Sequence, residues 1–232
     1  MRYFYGFDLT YIIFVLPALI VAMWAQINVS STFNKYREIR SSRGETAADV
    51  ARRILDMNGL YNVRIEHIAG NLSDHFDPRS NVVRLSDSTY SSSSVAAIGV
   101  AAHEVGHAVQ HATSYFPIKL RNAIVPVVQI SSYAAFPLAI LGIIFANKFM
   151  IVAGIVLFTL VVLFQLVTLP VEFNASRRAL KTLESNYILE GSELKGARKV
   201  LTAAALTYVA SAAVAIGNLL RLLVLAGGRN RD

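Results

Sequence analysis

His103-Glu104-Val105-Gly106-His107 places two histidines four residues apart, with an acid directly after the first. On a helix, residues i and i+4 share a face one turn apart. Both imidazoles can therefore reach one divalent ion, with the Glu104 carboxylate beside the open coordination position. The donors are nitrogen and oxygen, and the chain has no cysteine. Zinc is the expected ion, one per chain, held tetrahedrally by three protein side chains and a water whose pKa it lowers. Glu104 is then the expected general base, taking the water's proton and passing it to the leaving amine of a peptide bond. The absence of cysteine also excludes a disulfide scaffold, a thiolate zinc finger, an iron–sulfur cluster and a cysteine nucleophile. The bland alternative is a helix whose two histidines and one acid are merely polar positions near a membrane surface.

A third ligand is required, and Glu172, His111, His67 and His75 are the candidates. His111 continues the same helix and would lie about 12 Å from His103, too far to share an ion. His67 and His75 precede the motif in strand or turn context, where a solvent-facing histidine is the ordinary reading. Glu172 follows an apolar run, and a carboxylate at a membrane boundary is costly unless it is solvated or paired, which a metal would satisfy. An oxyanion formed at this site also needs a donor, and Arg177, Arg178 and Tyr187 are available.

The elements that must position these groups follow from hydropathy and turn signals. Val95 to His111 reads as a helix with Ile98, Ala102, Val105 and Val109 as apolar surface, and Ser91 to Ser94 supply its cap. Before it, Glu45 to Met57 has the spacing of an amphipathic helix stopped by Asn58-Gly59, while Val63 to Ile68 and Asn81 to Leu85 read as strands separated by turn residues. The Asn81 to Leu85 strand is a candidate for binding an extended peptide by strand addition.

The rest of the chain is built for a bilayer. Of 232 residues, 54% are hydrophobic and only 16% charged, with a mean hydropathy of +0.47, so a purely soluble domain is excluded as the simplest reading. Phe7 to Val29, with Pro17 tolerable inside it, is an expected uncleaved anchor. Ala123 to Ala146 and Phe149 to Leu169, separated by Asn147-Lys148, form an expected hairpin of two spans. Val200 to Ala226 is a fourth span or a helix lying on the surface, with spanning preferred. After Pro170 a new helix is expected to carry Glu172. The net charge of +7 is mostly a topology signal, because eleven Lys/Arg lie in residues 30–122 and six in 170–199. By the positive-inside tendency both loops are cytoplasmic. Arg2, Arg229 and Arg231 add to the charge at the termini. No aromatic-and-basic stripe accompanies the charge, which argues against nucleic acid.

Three stretches also carry a resemblance. His103 to His107, Leu72-Ser73-Asp74-His75-Phe76-Asp77-Pro78-Arg79 with Val83 to Ser86, and Leu169-Pro170-Val171-Glu172-Phe173-Asn174-Ala175-Ser176-Arg177-Arg178-Ala179-Leu180 together resemble the YugP-type membrane zinc metallopeptidases. The resemblance covers essentially the whole chain, and more distantly it is similar to the HtpX-like gluzincins. It implies His103, His107 and Glu172 as zinc ligands and Glu104 as base. One position departs: Asn174 stands where those families usually carry an acid shortly after the ligand glutamate. A neutral amide can still hydrogen-bond a ligating imidazole, but it raises ligand basicity less.

The expected fold is a mainly α membrane protein of about four transmembrane helices plus a small α+β zincin-like domain. Residues 1–29 form the anchor, 30–120 the catalytic domain, 121–169 the hairpin, 170–199 the third-ligand helix and loop, and 200–232 the C-terminal helix and tail. The expected function is that of a zinc metalloendopeptidase acting on protein or peptide substrates. Its expected place is the bacterial plasma membrane with the site facing the cytoplasm, its partners are the lipid bilayer and substrate, and an oligomer or partner subunit stays open. A zinc-binding membrane scaffold without proteolysis is the alternative.

Overall fold

A computed structural model describes residues 3–4 and 7–227; Arg2, Arg229, Arg231 and the end of the C-terminal tail lie outside the described residues. Two short strands, β1 (Tyr3–Phe4) and β2 (Phe7–Asp8), pair antiparallel and lead into α1 (Leu9–Phe14) and α2 (Leu16–Arg37). The first apolar run, from Phe7, therefore begins as one short strand and a short helix. Its long helix continues eight residues past the expected end at Val29. Pro17 sits in the first turn of α2, where a missing N–H costs nothing because those donors have no intrahelical partner.

The soluble elements follow the sequence closely. α3 (Ala47–Met57) buries Ala47, Val50, Ala51, Ile54 and Leu55, the positions its spacing selects. Thr46 and Asp49 close a reciprocal capping box at its start. β3 (Arg64–Ile68), β4 (His75–Asp77) and β5 (Val82–Ser86) form one sheet in the order β3-β5-β4, with β3 parallel and β4 antiparallel to β5. β4 falls where only turns were expected. Asp74 fastens it by accepting the Ser86 N–H at 2.8 Å and the Ser86 hydroxyl at 3.0 Å. β5 is the central strand with both edges taken, so the expectation that Asn81 to Leu85 receives a peptide by strand addition does not hold; β4 is the edge on that side.

α4 (Val95–Ala112) carries the histidine motif, and its Ser94 cap accepts the Ala97 N–H at 3.2 Å. α5 (Phe116–Ile144) runs through Pro126 and Pro137. α6 (Lys148–Ser185) is one continuous helix through Pro170, so no new helix begins there. Proline is tolerated inside a long apolar helix where neighbouring groups satisfy the freed carbonyl, and Leu166 is the residue that loses its bond. α7 (Gly191–Gly227) likewise joins the polar stretch before Val200 to the apolar one after it.

Among the described residues four helices, α2, α5, α6 and α7, are long and apolar enough to cross a membrane. The chain divides into two compact units. One comprises residues 1–26, 120–169 and 207–232; the other comprises 27–119 and 170–206. The second contains the sheet, α3, α4 and a core that includes Ile54, Leu55, Leu85, Ile98, Leu183 and Leu189.

Candidate metal centre

α4 is nearly all buried, and among its buried residues are the polar Glu104, His107 and Gln110. Polar groups survive in such a place only when they are partnered. Their partners come from α6. At Gly106 the two helices touch: a Cβ there would lie 2.8 Å from the Ala175 carbonyl oxygen and 3.3 Å from its Cα. Only a glycine permits this approach, and it brings Glu172, one helical turn before Ala175, against the histidines.

The result is a triangle of ligand atoms. His103 Nε2 and His107 Nε2 are 3.1 Å apart, and Glu172 Oε2 stands 3.3 Å from the first and 3.5 Å from the second. Zinc bound tetrahedrally at about 2.0–2.1 Å separates its ligand atoms by about 3.3–3.4 Å. The triangle has the size that zinc requires, and the side chain of Glu172 is only 3% exposed. Among the described residues these three are the group that converges in this way. The other third-ligand candidates are engaged elsewhere: His67 Nε2 contacts Asp87 Oδ1 at 2.6 Å, His75 Nδ1 contacts the Ser73 carbonyl at 2.9 Å, and the His111 ring packs on Phe76.

Glu104 points its carboxylate towards β4, whose Phe76 backbone N–H donates to Oε2 at 3.1 Å. Burial raises the Glu104 carboxyl pKa above its ordinary range, opposed by the neighbouring His103 and His107. A buried carboxylate whose proton affinity is raised is suited to accept a proton.

The imidazoles are oriented from behind. His107 Nδ1 faces Gln110 Oε1 at 3.0 Å, and His103 Nδ1 faces the Ser176 hydroxyl at 3.1 Å. The Gln110 amide has one consistent orientation. Its Nε2 donates to the Val171 carbonyl at 2.8 Å and to Asn174 Oδ1 at 3.0 Å, and Arg178 Nε also donates to Asn174 Oδ1 at 2.8 Å. Gln110 Oε1 must then accept from His107 Nδ1–H, which leaves Nε2 with its lone pair free for a metal. Asn174 thus supports an imidazole through Gln110, one residue removed from the direct contact expected of it. Arg178 is spent on the same relay. Arg177 is exposed and lines a cavity of about 410 Å³ together with Ser176 and Phe173. Tyr187 is 66% exposed in the turn after α6, about 20 Å along the helix from Glu172 at 1.5 Å per residue, and does not reach the triangle.

Sequence reading missed Gln110, Ser176 and the Phe76 amide. The first two had a signal in helical spacing: Gln110 lies three residues after His107 and Ser176 four after Glu172, each on its ligand's face.

A His-Glu-x-x-His helix facing a buried glutamate from a second helix, together with four bilayer-length helices among the described residues, is the arrangement expected of a membrane zinc metallopeptidase. The chain belongs to the family described as "Putative neutral zinc metallopeptidase", which matches residues 11–227. It is 47% identical over 223 residues to "Putative membrane protease YugP" of Bacillus subtilis (strain 168), covering 96% of this chain and 99% of that protein. No solved structure matches significantly.

Proposed function

We propose that His103, His107 and Glu172 hold the zinc of a gluzincin-type endopeptidase and that Glu104 is its general base. The observation that carries this reading is the ligand triangle, whose edges of 3.1, 3.3 and 3.5 Å fit tetrahedral zinc. When bound, zinc supplies Lewis acidity and a water acidified towards neutral pH. Glu104 takes the proton of the attacking water and delivers it to the departing amine. Gln110 and Ser176 keep the ligand imidazoles in the Nδ1–H form. An extended substrate runs along the outer edge of β4 beside Glu104, where the Phe76 N–H is already held, and Arg177 is the candidate oxyanion donor left once Arg178 is engaged by Asn174 and Tyr187 lies far along the helix. The basic residues flanking the spans favour a plasma-membrane protein with this site on the cytoplasmic side.

The test is metal-dependent cleavage. Protein purified in detergent should hydrolyse an unfolded substrate such as casein, lose that activity to a zinc chelator and regain it on adding zinc. Cleavage indifferent to chelation would overturn the proposal.

Two substitutions probe the geometry. Gly106→Ala inserts a methyl against the backbone of Ala175, so thermal unfolding in detergent should show a loss of about 1–3 kcal/mol. Zinc should also be surrendered more readily to a competing chelator, because α6 carries Glu172 away from α4. Gln110→Met keeps the volume and removes the bond to His107, and zinc affinity should fall about 10–100-fold in the same competition. An unchanged affinity would mean that the imidazole needs no such support.

A further inference from the structure

A second cavity, of about 420 Å³, lies between α2 and α7 and is lined by Lys35, Arg198 and Lys199. Among the described residues none of these cations has a carboxylate partner. The acids nearest in sequence are directed elsewhere: Glu38 to Arg37 at 3.9 Å, and Glu193 to the Ser42 N–H at 2.9 Å. Asn28, Thr32 and Thr202 add amide and hydroxyl groups, while Ala203 and Leu206 make the other wall apolar.

The position is as informative as the lining. α2 reaches this cavity as its apolar run gives way to Ser30-Ser31-Thr32, and α7 reaches it as Lys195 to Lys199 give way to Val200 and the alanines that follow. Both helices thus change from polar to apolar at the same cavity. Three cations with neighbouring donors suit the oxygens of a phosphate, and an apolar wall continuing into the spans suits acyl chains. A free phosphate would use only half of this lining, and a zwitterionic headgroup would bring its own cation against three others.

We infer that the cavity between α2 and α7 binds the phosphodiester headgroup of an anionic glycerophospholipid. This rests on no property of the metal centre and adds a lipid site to the enzyme.

The single tryptophan, Trp24, stands four residues before Asn28 on α2, and its fluorescence reports nearby brominated acyl chains. The full-length protein in detergent is titrated with brominated phosphatidylglycerol and, separately, brominated phosphatidylcholine. The anionic lipid should quench at a mole fraction lower by at least about fivefold, the effect of one cation near a membrane surface. Lys35→Gln/Arg198→Gln/Lys199→Gln should abolish this preference while retaining zinc content and quenching by phosphatidylcholine, which report an intact fold. Arg40→Gln/Arg43→Gln/Arg79→Gln, which removes three exposed cations outside the cavity, should leave the preference in place. Equal quenching by the two lipids in the wild type overturns the inference, as does a preference that survives in the cavity variant or disappears equally in the control. Excess inorganic phosphate, against chloride at matched ionic strength, separates the sources: abolition of the preference assigns the cavity to free phosphate and overturns the lipid site.

Discussion

Glu104→Gln should cut peptide hydrolysis by about 10²–10⁴-fold, the range that a positioned proton acceptor contributes, with zinc content unchanged. The substitution is nearly isosteric. The amide oxygen can still accept the Phe76 N–H that the carboxylate accepts at 3.1 Å, so β4 should stay in place. What disappears is the ability to take a proton. Because Glu104 is buried, its ionised form is costly to the fold, and the neutral variant should be at least as stable as the parent. Initial rates on casein and elemental analysis of the same sample check both halves. A variant that cleaves at the parental rate removes Glu104 from the mechanism.

The second large effect is expected at the other helix. Glu172→Gln keeps the size of a side chain that is 3% exposed but removes the charge that meets both imidazoles. Residues that merely orient a ligand are worth about 10–100-fold in metal affinity, so a ligand itself should exceed about 100-fold. Purified without added metal, the variant should carry almost no zinc, while helix content by circular dichroism stays near the parental value. Stoichiometric zinc in Glu172→Gln would place the third ligand elsewhere, although His67 and His75 are already bound to Asp87 and to the Ser73 carbonyl.

The parts of this structure legible from sequence are those governed by local periodicity. The five buried positions of α3 follow from helical spacing, and the Asn58 stop closes it, while its start at Ala47 behind the Thr46 cap lies two residues after the expected Glu45. The histidine motif is legible because its chemistry needs only residues one turn apart on one helix. β4 was not legible: its three residues are His75, Phe76 and Asp77, flanked by Asp74 and Pro78, and turn chemistry hides a strand this short. Its identity comes from pairing with β5 and from the grip of Asp74 on Ser86, both tertiary. The continuity of α6 through Pro170 was hidden for a related reason. Proline reads locally as a helix start, and only the long apolar helix around it overrides that preference. The Gln110, Asn174 and Arg178 relay joins α4 to α6, and spacing within either helix indicates a face without naming what it meets.

The contact between His103 and Glu172 bridges 69 positions of sequence, and the whole of α5 and the apolar part of α6 lie between them. A ribosome delivers the two histidines long before it delivers the glutamate. Until α6 has emerged past Ala175, the growing polypeptide holds two imidazoles and a base but no complete ligand set. With the ligands proposed above, a chain cut short before Glu172 would lack the third ligand, so zinc capture would have to wait for the central hairpin to be synthesised.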